Sequence, residues 1–64
     1  DVETECQLDR FYNLRSELLN GNMHNYDEFV ALARELAEKS VEVRDIIGRE
    51  LRQFSRITGK EVLL

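Results

Sequence analysis

The sequence predicts an all-α protein: a two-helix antiparallel hairpin with a long second helix, which dimerises into a four-helix bundle or coiled coil. Three observations lead to this fold class. Proline is absent, and the helix-forming residues Leu, Glu, Arg and Ala are prominent. Apolar residues recur every three or four positions, which is the helical period. At 64 residues with one cysteine, the chain is short and has no internal disulfide, so a second chain is the expected way to complete its core.

The first helix is predicted at about residues 2–19. Acidic residues in its first turns favour the positive end of the helix dipole. The triplet Asn20-Gly21-Asn22 ends the helix, because glycine and asparagine adopt the left-handed conformation that closes one. Its apolar stripe consists of Leu8, Phe11, Tyr12, Leu14, Leu18 and Leu19.

The second helix is predicted at about residues 26–58, between an N-cap at Asn25 and a stop at Gly59. Glu28 follows Asn25 at the spacing of a capping box. The stripe of this helix alternates steps of four and three, as in a heptad seam. It begins with Phe29, Ala33, Leu36, Ser40, Val43 and Ile47.

A hairpin of these two helices leaves the end of the longer helix uncovered. At about 1.5 Å per residue the helices differ in length by roughly 20 Å. The overhang carries large apolar side chains whose exposure would favour aggregation, so a second chain is expected to cover them. The predicted oligomer interface is Phe29, Leu36, Val43, Ile47, Leu51, Phe54 and Ile57.

One competing fold stays open within the same single domain, residues 1–64. Ser40 could serve as an N-cap, and Gly48 weakens a helix interior by about 1 kcal/mol relative to alanine. A break at either residue would let the last segment fold back into a monomeric three-helix bundle. No proline or Asn-Gly pair marks such a break, which favours the continuous helix.

A basic run near the end of the second helix is the best candidate for a polar partner surface. Arg49, Arg52, Arg56 and Lys60 are spaced by three and four residues and so share one side of a helix. Nucleic-acid backbones are bound by such stripes. The alternative is a solvated face, because cations near a helix C-terminus are favoured by its dipole and the chain carries a net charge of −4.

Two further arginines, Arg15 and Arg44, fall inside the apolar stripes of their helices. A charge there is tolerated when its stem packs and its head reaches water or a carboxylate. The antiparallel fold predicts that Arg44 meets Asp1, Glu3 or Glu5 in an ion pair that sets the register.

No catalytic, cofactor-binding or metal-binding constellation is visible, and the chain is not expected to be an enzyme. His24 with Asp27 and Glu28 offers too few ligands for a metal, and capping explains both acids. Cys6 has no histidine near it in sequence to activate a thiolate.

The expected function is therefore a small protein-interaction and oligomerisation module that acts as a regulator, adaptor or assembly domain. Its partners are expected to be itself, as a homodimer, or another helical protein. Nucleic acid bound through the basic run is the first alternative, and a structural coiled-coil fragment of a larger chain is the second. The single free thiol and the lack of a membrane-spanning apolar run suggest a cytoplasmic protein.

Overall fold

The computed structural model describes all 64 residues and contains three α-helices and no strand. They are α1 (Val2–Leu19), α2 (Tyr26–Ala37) and α3 (Val41–Thr58). Each helix runs antiparallel to the one before it. The tail segment, residues 59–64, follows α3 without helical structure. The helical class is confirmed. None of the three helices combines the length and the apolar composition needed to cross a membrane.

Helix α1 occupies the residues that the sequence predicts, and its caps show why. The Asp1 side chain accepts a hydrogen bond from the Thr4 backbone N–H at 2.8 Å, which satisfies one of the free donors of the first turn. At the other end Asn20 is the C-cap, and Gly21 has a φ of +91°. That left-handed backbone is accessible to glycine at no steric cost, so the chain turns here.

The prediction of one continuous helix over residues 26–58 is wrong for this structure. Helix α2 ends at Ala37, and Ser40 starts α3 with an extended backbone of φ −166° and ψ 167°. The Ser40 hydroxyl accepts a hydrogen bond from the Val43 N–H at 3.2 Å. This is the Ser40 break of the competing fold, whereas Gly48 lies inside an unbroken α3.

Burial explains why the break prevails over the continuous helix. It returns three apolar residues of α3, Ile47, Leu51 and Phe54, to the surface formed by α1 and α2, where each is at most 3% exposed. Burying such side chains contributes about 1.5–3 kcal/mol each. That gain exceeds the cost of interrupting the helix for a few residues, and the serine cap offsets part of that cost.

The core is centred on three phenylalanine rings, one from each helix. Phe29 of α2 stacks on Phe11 of α1 at a centroid distance of 4.9 Å and meets Phe54 of α3 at 5.0 Å. All three rings are fully buried. The remaining buried residues are Leu14, Leu18, Ala33, Leu36, Ala37, Ile47 and Leu51.

The capping box predicted at the start of α2 does not form. Asn25 is the N-cap residue, but its side chain makes no capping hydrogen bond, and its φ of −105° and ψ of 28° lie outside the extended region usual for caps. The Glu28 carboxylate accepts hydrogen bonds from the Arg10 guanidinium instead, at 2.8 and 2.9 Å. A charged partner on α1 thus replaces the local backbone contact.

Candidate functional site: an arginine face on α2 and α3

Three members of the predicted basic run lie where the sequence places them. Arg49, Arg52 and Arg56 are exposed on the outer side of α3, opposite the buried positions of that helix. Lys60 lies beyond the helix and takes a different direction. Its Nζ is 5.7 Å from the ring centroid of Tyr26, within the range of a cation–π contact with the start of α2.

The fold adds two arginines that the basic run does not contain. Arg44, in the first turn of α3, lines the same concavity as Arg49 and Arg52, and Gly48 is also part of its lining. Arg34, near the end of α2, lines a neighbouring concavity together with Arg44. We refer to this surface as the arginine face, and its members are Arg34, Arg44, Arg49, Arg52 and Arg56.

No member of the arginine face has a carboxylate partner within 4.0 Å. The three ion pairs of the structure all use other cations: Arg10 with Glu28, Arg15 with Glu50, and Lys39 with Glu3. Asp45 borders the concavity around Gly48 and still makes no such pair. The basic residues away from this face are largely neutralised inside the chain, whereas the guanidinium groups of the face are exposed and lack a carboxylate partner.

The predicted ion pair of Arg44 with an acidic residue at the start of α1 is not present. Glu3 pairs with Lys39 at 3.6 Å, and Arg44 is exposed. The reason is the break at Ser40, which sets α3 on a new axis. The other arginine of the apolar stripes, Arg15, does reach a carboxylate, since its Nε lies 3.3 Å from Glu50 Oε2.

The tail segment runs back along the groove between α2 and α3 and so borders the arginine face. Arg34 Nε donates a hydrogen bond to the Leu63 carbonyl at 3.1 Å, and Ser55 Oγ donates one to the Lys60 carbonyl at 2.9 Å. Val62 packs against the core. Leu63 is 66% exposed and Leu64 is 42% exposed. Apolar surface therefore lies directly beside the unpaired arginines.

The glycine at position 48, which lines this concavity, is not explained by packing within one chain. A Cβ atom built on it would meet only the Arg52 Nη1 atom, at 3.6 Å, which is an ordinary contact with the end of a flexible side chain. Its backbone is helical, so no positive φ requires glycine either. The glycine therefore costs helix stability without a compensating contact in this structure.

The predicted oligomer-interface residues are mostly used within the chain. Phe29, Leu36, Ile47, Leu51 and Phe54 belong to the core of one molecule. Val43 packs against that core from its edge, and Ile57 is 67% exposed. The uncovered overhang that motivated a second chain is therefore absent from the three-helix arrangement, and the oligomer interface stays a prediction.

The other residues considered for chemistry lie apart from the arginine face. His24 is exposed in the turn between α1 and α2, where its backbone N–H donates to Asn22 Oδ1 at 3.1 Å. Cys6 is an exposed free thiol on α1. No group of three His, Cys, Asp or Glu side chains is arranged to hold a metal ion.

Sequence reasoning missed Arg34 because helical spacing relates residues only within one helix. A turn of three residues after Ala37 brings the end of α2 beside the start of α3, so the signal would have been the Ser40 cap.

Comparison with known proteins gives no family model, no curated protein and no solved structure that matches this chain.

Proposed function

We propose that this protein is a protein-interaction module whose arginine face binds an acidic, partly apolar segment of another protein. The observation that carries the proposal is the set of five exposed arginines without a carboxylate partner on a chain of net charge −4. A partner that supplies carboxylates would complete ion pairs that the chain leaves open. Arginine is also enriched at protein interfaces, and its planar guanidinium can hold one carboxylate through two parallel hydrogen bonds.

The surroundings of the face favour a protein over a nucleic acid. Leu63 and Leu64 offer apolar contact area beside the arginines, which suits an amphipathic segment. All three phenylalanines are buried, so none can stack on bases.

Nucleic-acid binding is the second candidate, supported by the regular spacing of Arg49, Arg52 and Arg56 along one exposed helix face. The two candidates differ in how binding responds to salt. Phosphate contacts release counterions, so affinity falls steeply as salt rises. Binding that rests partly on apolar contacts keeps a residual affinity at high salt.

The test compares two labelled probes by fluorescence anisotropy over a range of salt concentrations. One probe is a synthetic amphipathic peptide with glutamates on one side and leucines on the other, and the other is a mixed-sequence oligonucleotide, single-stranded and duplex. The test variant carries Arg44→Gln, Arg49→Gln and Arg52→Gln. With about 0.5 kcal/mol lost per exposed pair, peptide binding should weaken roughly tenfold.

A matched control removes the same amount of charge elsewhere, through Arg10→Gln, Lys39→Gln and Lys60→Gln. We expect this control to bind the peptide nearly as the parent does. Equal weakening in the control and the test variant would show that net charge alone governs binding and would refute the site. Binding of the oligonucleotide alone, lost at high salt and in the test variant, would favour the second candidate.

A further inference from the structure

The connection between α2 and α3 begins as a continuation of the α2 helix. Glu38 keeps a right-handed helical backbone with φ −86° and ψ −9°. The backbone N–H groups of Glu38 and Lys39 still donate to the carbonyls of Glu35 and Leu36, at 3.2 and 3.0 Å. The extended backbone of Ser40 then starts the next helix. There is no glycine, proline or positive φ in this connection, unlike the turn after α1 with Gly21.

The apolar pattern also continues through the connection without a change of phase. The heptad seam of α2, which includes Phe29 and Leu36, passes through Ser40 and leads on to Val43 and Ile47 in α3. No proline interrupts residues 26–58. The same residues can therefore form either two helices joined by a turn or one helix about 50 Å long.

We propose that two copies of this chain exchange α3 and form a dimer in which residues 26–58 are one continuous helix. In such a dimer α3 of one copy packs on α1 and α2 of the other. Every core contact is kept, but the contacts of α3 with α1 and α2 become intermolecular, including Phe29 with Phe54 and Arg15 with Glu50. The dimer then consists of two antiparallel long helices, each with its own α1, which makes a bundle of four helices.

A second copy of this chain is the partner that best supplies the helix packed on α1 and α2. Any other chain would have to reproduce the shapes of Ile47, Leu51 and Phe54, whereas a second copy supplies these residues themselves. The exchange also changes the arginine face, because Arg34 would come from one copy and the arginines of α3 from the other. The hydrogen bond from Arg34 to the Leu63 carbonyl would likewise join two chains.

Since monomer and dimer share their core, the balance between them is set at the connection. The monomer has the Ser40 cap on Val43, which a continuous helix would lose. The dimer gains helical hydrogen bonds across residues 38–40 and loses the entropy of two independent chains. Removing the cap should therefore favour the dimer. A capping serine contributes about fivefold to a helix equilibrium, so loss in both copies should strengthen dimerisation about 25-fold.

The test measures mass by sedimentation equilibrium after refolding at increasing concentration. We expect the parent chain to be monomeric when dilute and to form dimers as its concentration rises, and Ser40→Ala to form dimers at a concentration about 25-fold lower. Ser40→Asp is the matched control, because aspartate retains a cap and should behave as the parent does. Insertion of two glycines after Lys39 blocks a continuous helix and should leave only monomer.

Isotope-filtered NMR on a mixture of labelled and unlabelled copies identifies the kind of dimer. Exchange predicts intermolecular signals between the rings of Phe29 and Phe54, whose centroids are 5.0 Å apart. A side-by-side dimer would keep these signals within one copy and would refute the proposal, as would a Ser40→Ala chain that stays monomeric. If Ser40→Ala fails to fold, Ser40→Leu, which also lacks the cap and completes the apolar seam, decides in the same way.

Discussion

Arg15 on α1 and Glu50 on α3 form the ion pair that joins the first helix to the last, with Nε and Oε2 3.3 Å apart. The two side chains are only 25% and 22% exposed. The Arg15 Nε is shielded from water and lacks the alignment of a hydrogen bond, so attraction to Glu50 is its main compensation. The guanidinium carbon also lies 5.9 Å from the ring centroid of Tyr12.

Replacing Arg15 by methionine should destabilise the fold by about 1–2 kcal/mol, between the values typical of exposed and of buried pairs. The substitution preserves most of the packing but leaves the Glu50 carboxylate without its cation. The double variant Arg15→Met with Glu50→Leu should regain most of the loss, because no charge is then left unpaired. Urea unfolding followed by circular dichroism gives both values. A double variant as unstable as the single one would show that the loss comes from packing.

The Arg10–Glu28 pair should make stability depend on pH in the acid range. Because Glu28 accepts two hydrogen bonds from Arg10, its pKa is lowered from the ordinary value. A lowered folded-state pKa means that the contribution is fully present above the unfolded-state value of about 4.3. It is lost as the pH falls through the lowered folded-state pKa.

The measurement for this pair is the melting temperature of the parent and of Glu28→Gln between pH ~2 and pH ~7. The parent should be the more stable chain at neutral pH, and the difference should vanish at the acid end. Glu35→Gln is the control, because Glu35 is exposed and has no ion pair, so its curve should follow that of the parent. A difference between parent and Glu28→Gln that persists at the acid end would contradict the assignment.

Phe29→Ala should cost about 3–5 kcal/mol, because Phe29 contacts the rings of both Phe11 and Phe54 and is fully buried. At about 0.05–0.15 kcal/mol per residue, a chain of 64 residues is stable by roughly 3–10 kcal/mol, so this variant should lose much of its free energy of unfolding. Ile57→Ala removes an apolar side chain that is 67% exposed and should change stability by less than about 0.5 kcal/mol. Calorimetry of both variants tests the contrast, and equal losses would contradict the three-helix core.

Replacing Gly48, inside α3, and Gly59, the C-cap of α3, by alanine should change the free energy of unfolding in opposite directions. Gly48→Ala should stabilise the chain by about 1 kcal/mol, because alanine has the higher helix propensity and the added methyl group has room beside Arg52. Gly59→Ala should destabilise it by about 1–2 kcal/mol, because the φ of +75° at Gly59 is strained for a residue with a Cβ atom. Chemical denaturation of the two variants side by side checks the signs.

The parts of the fold that local chemistry determines were predictable from the sequence. The span of α1 and the stop at Gly59 follow from capping and from left-handed glycines, and the buried sides of the helices follow from apolar spacing. The break at Ser40 was not decided in this way. Serine is favourable as a cap and tolerable within a helix, so only the burial of Ile47, Leu51 and Phe54 chooses between the two.

The arginine face was predictable only in part, for the same reason. Arg49, Arg52 and Arg56 share one helix, and their spacing alone places them together. Arg34 and Arg44 join them through the angle between α2 and α3, which no spacing rule gives. Arg44 was expected to turn inward toward carboxylates on α1, and the direction of α3 turns it outward instead.

The cluster of the Phe11, Phe29 and Phe54 rings has a consequence for the kinetics of folding. Each ring comes from a different helix. Any two helices packed together would therefore lack one of the three rings and would expose a large apolar surface to water. No two-helix species should accumulate, and the calorimetric and van't Hoff enthalpies of unfolding should agree. The contacts are mostly between helices adjacent in sequence, so loop closure is inexpensive and folding should finish within microseconds to milliseconds. We therefore expect the three helices to form and unfold together as one cooperative unit.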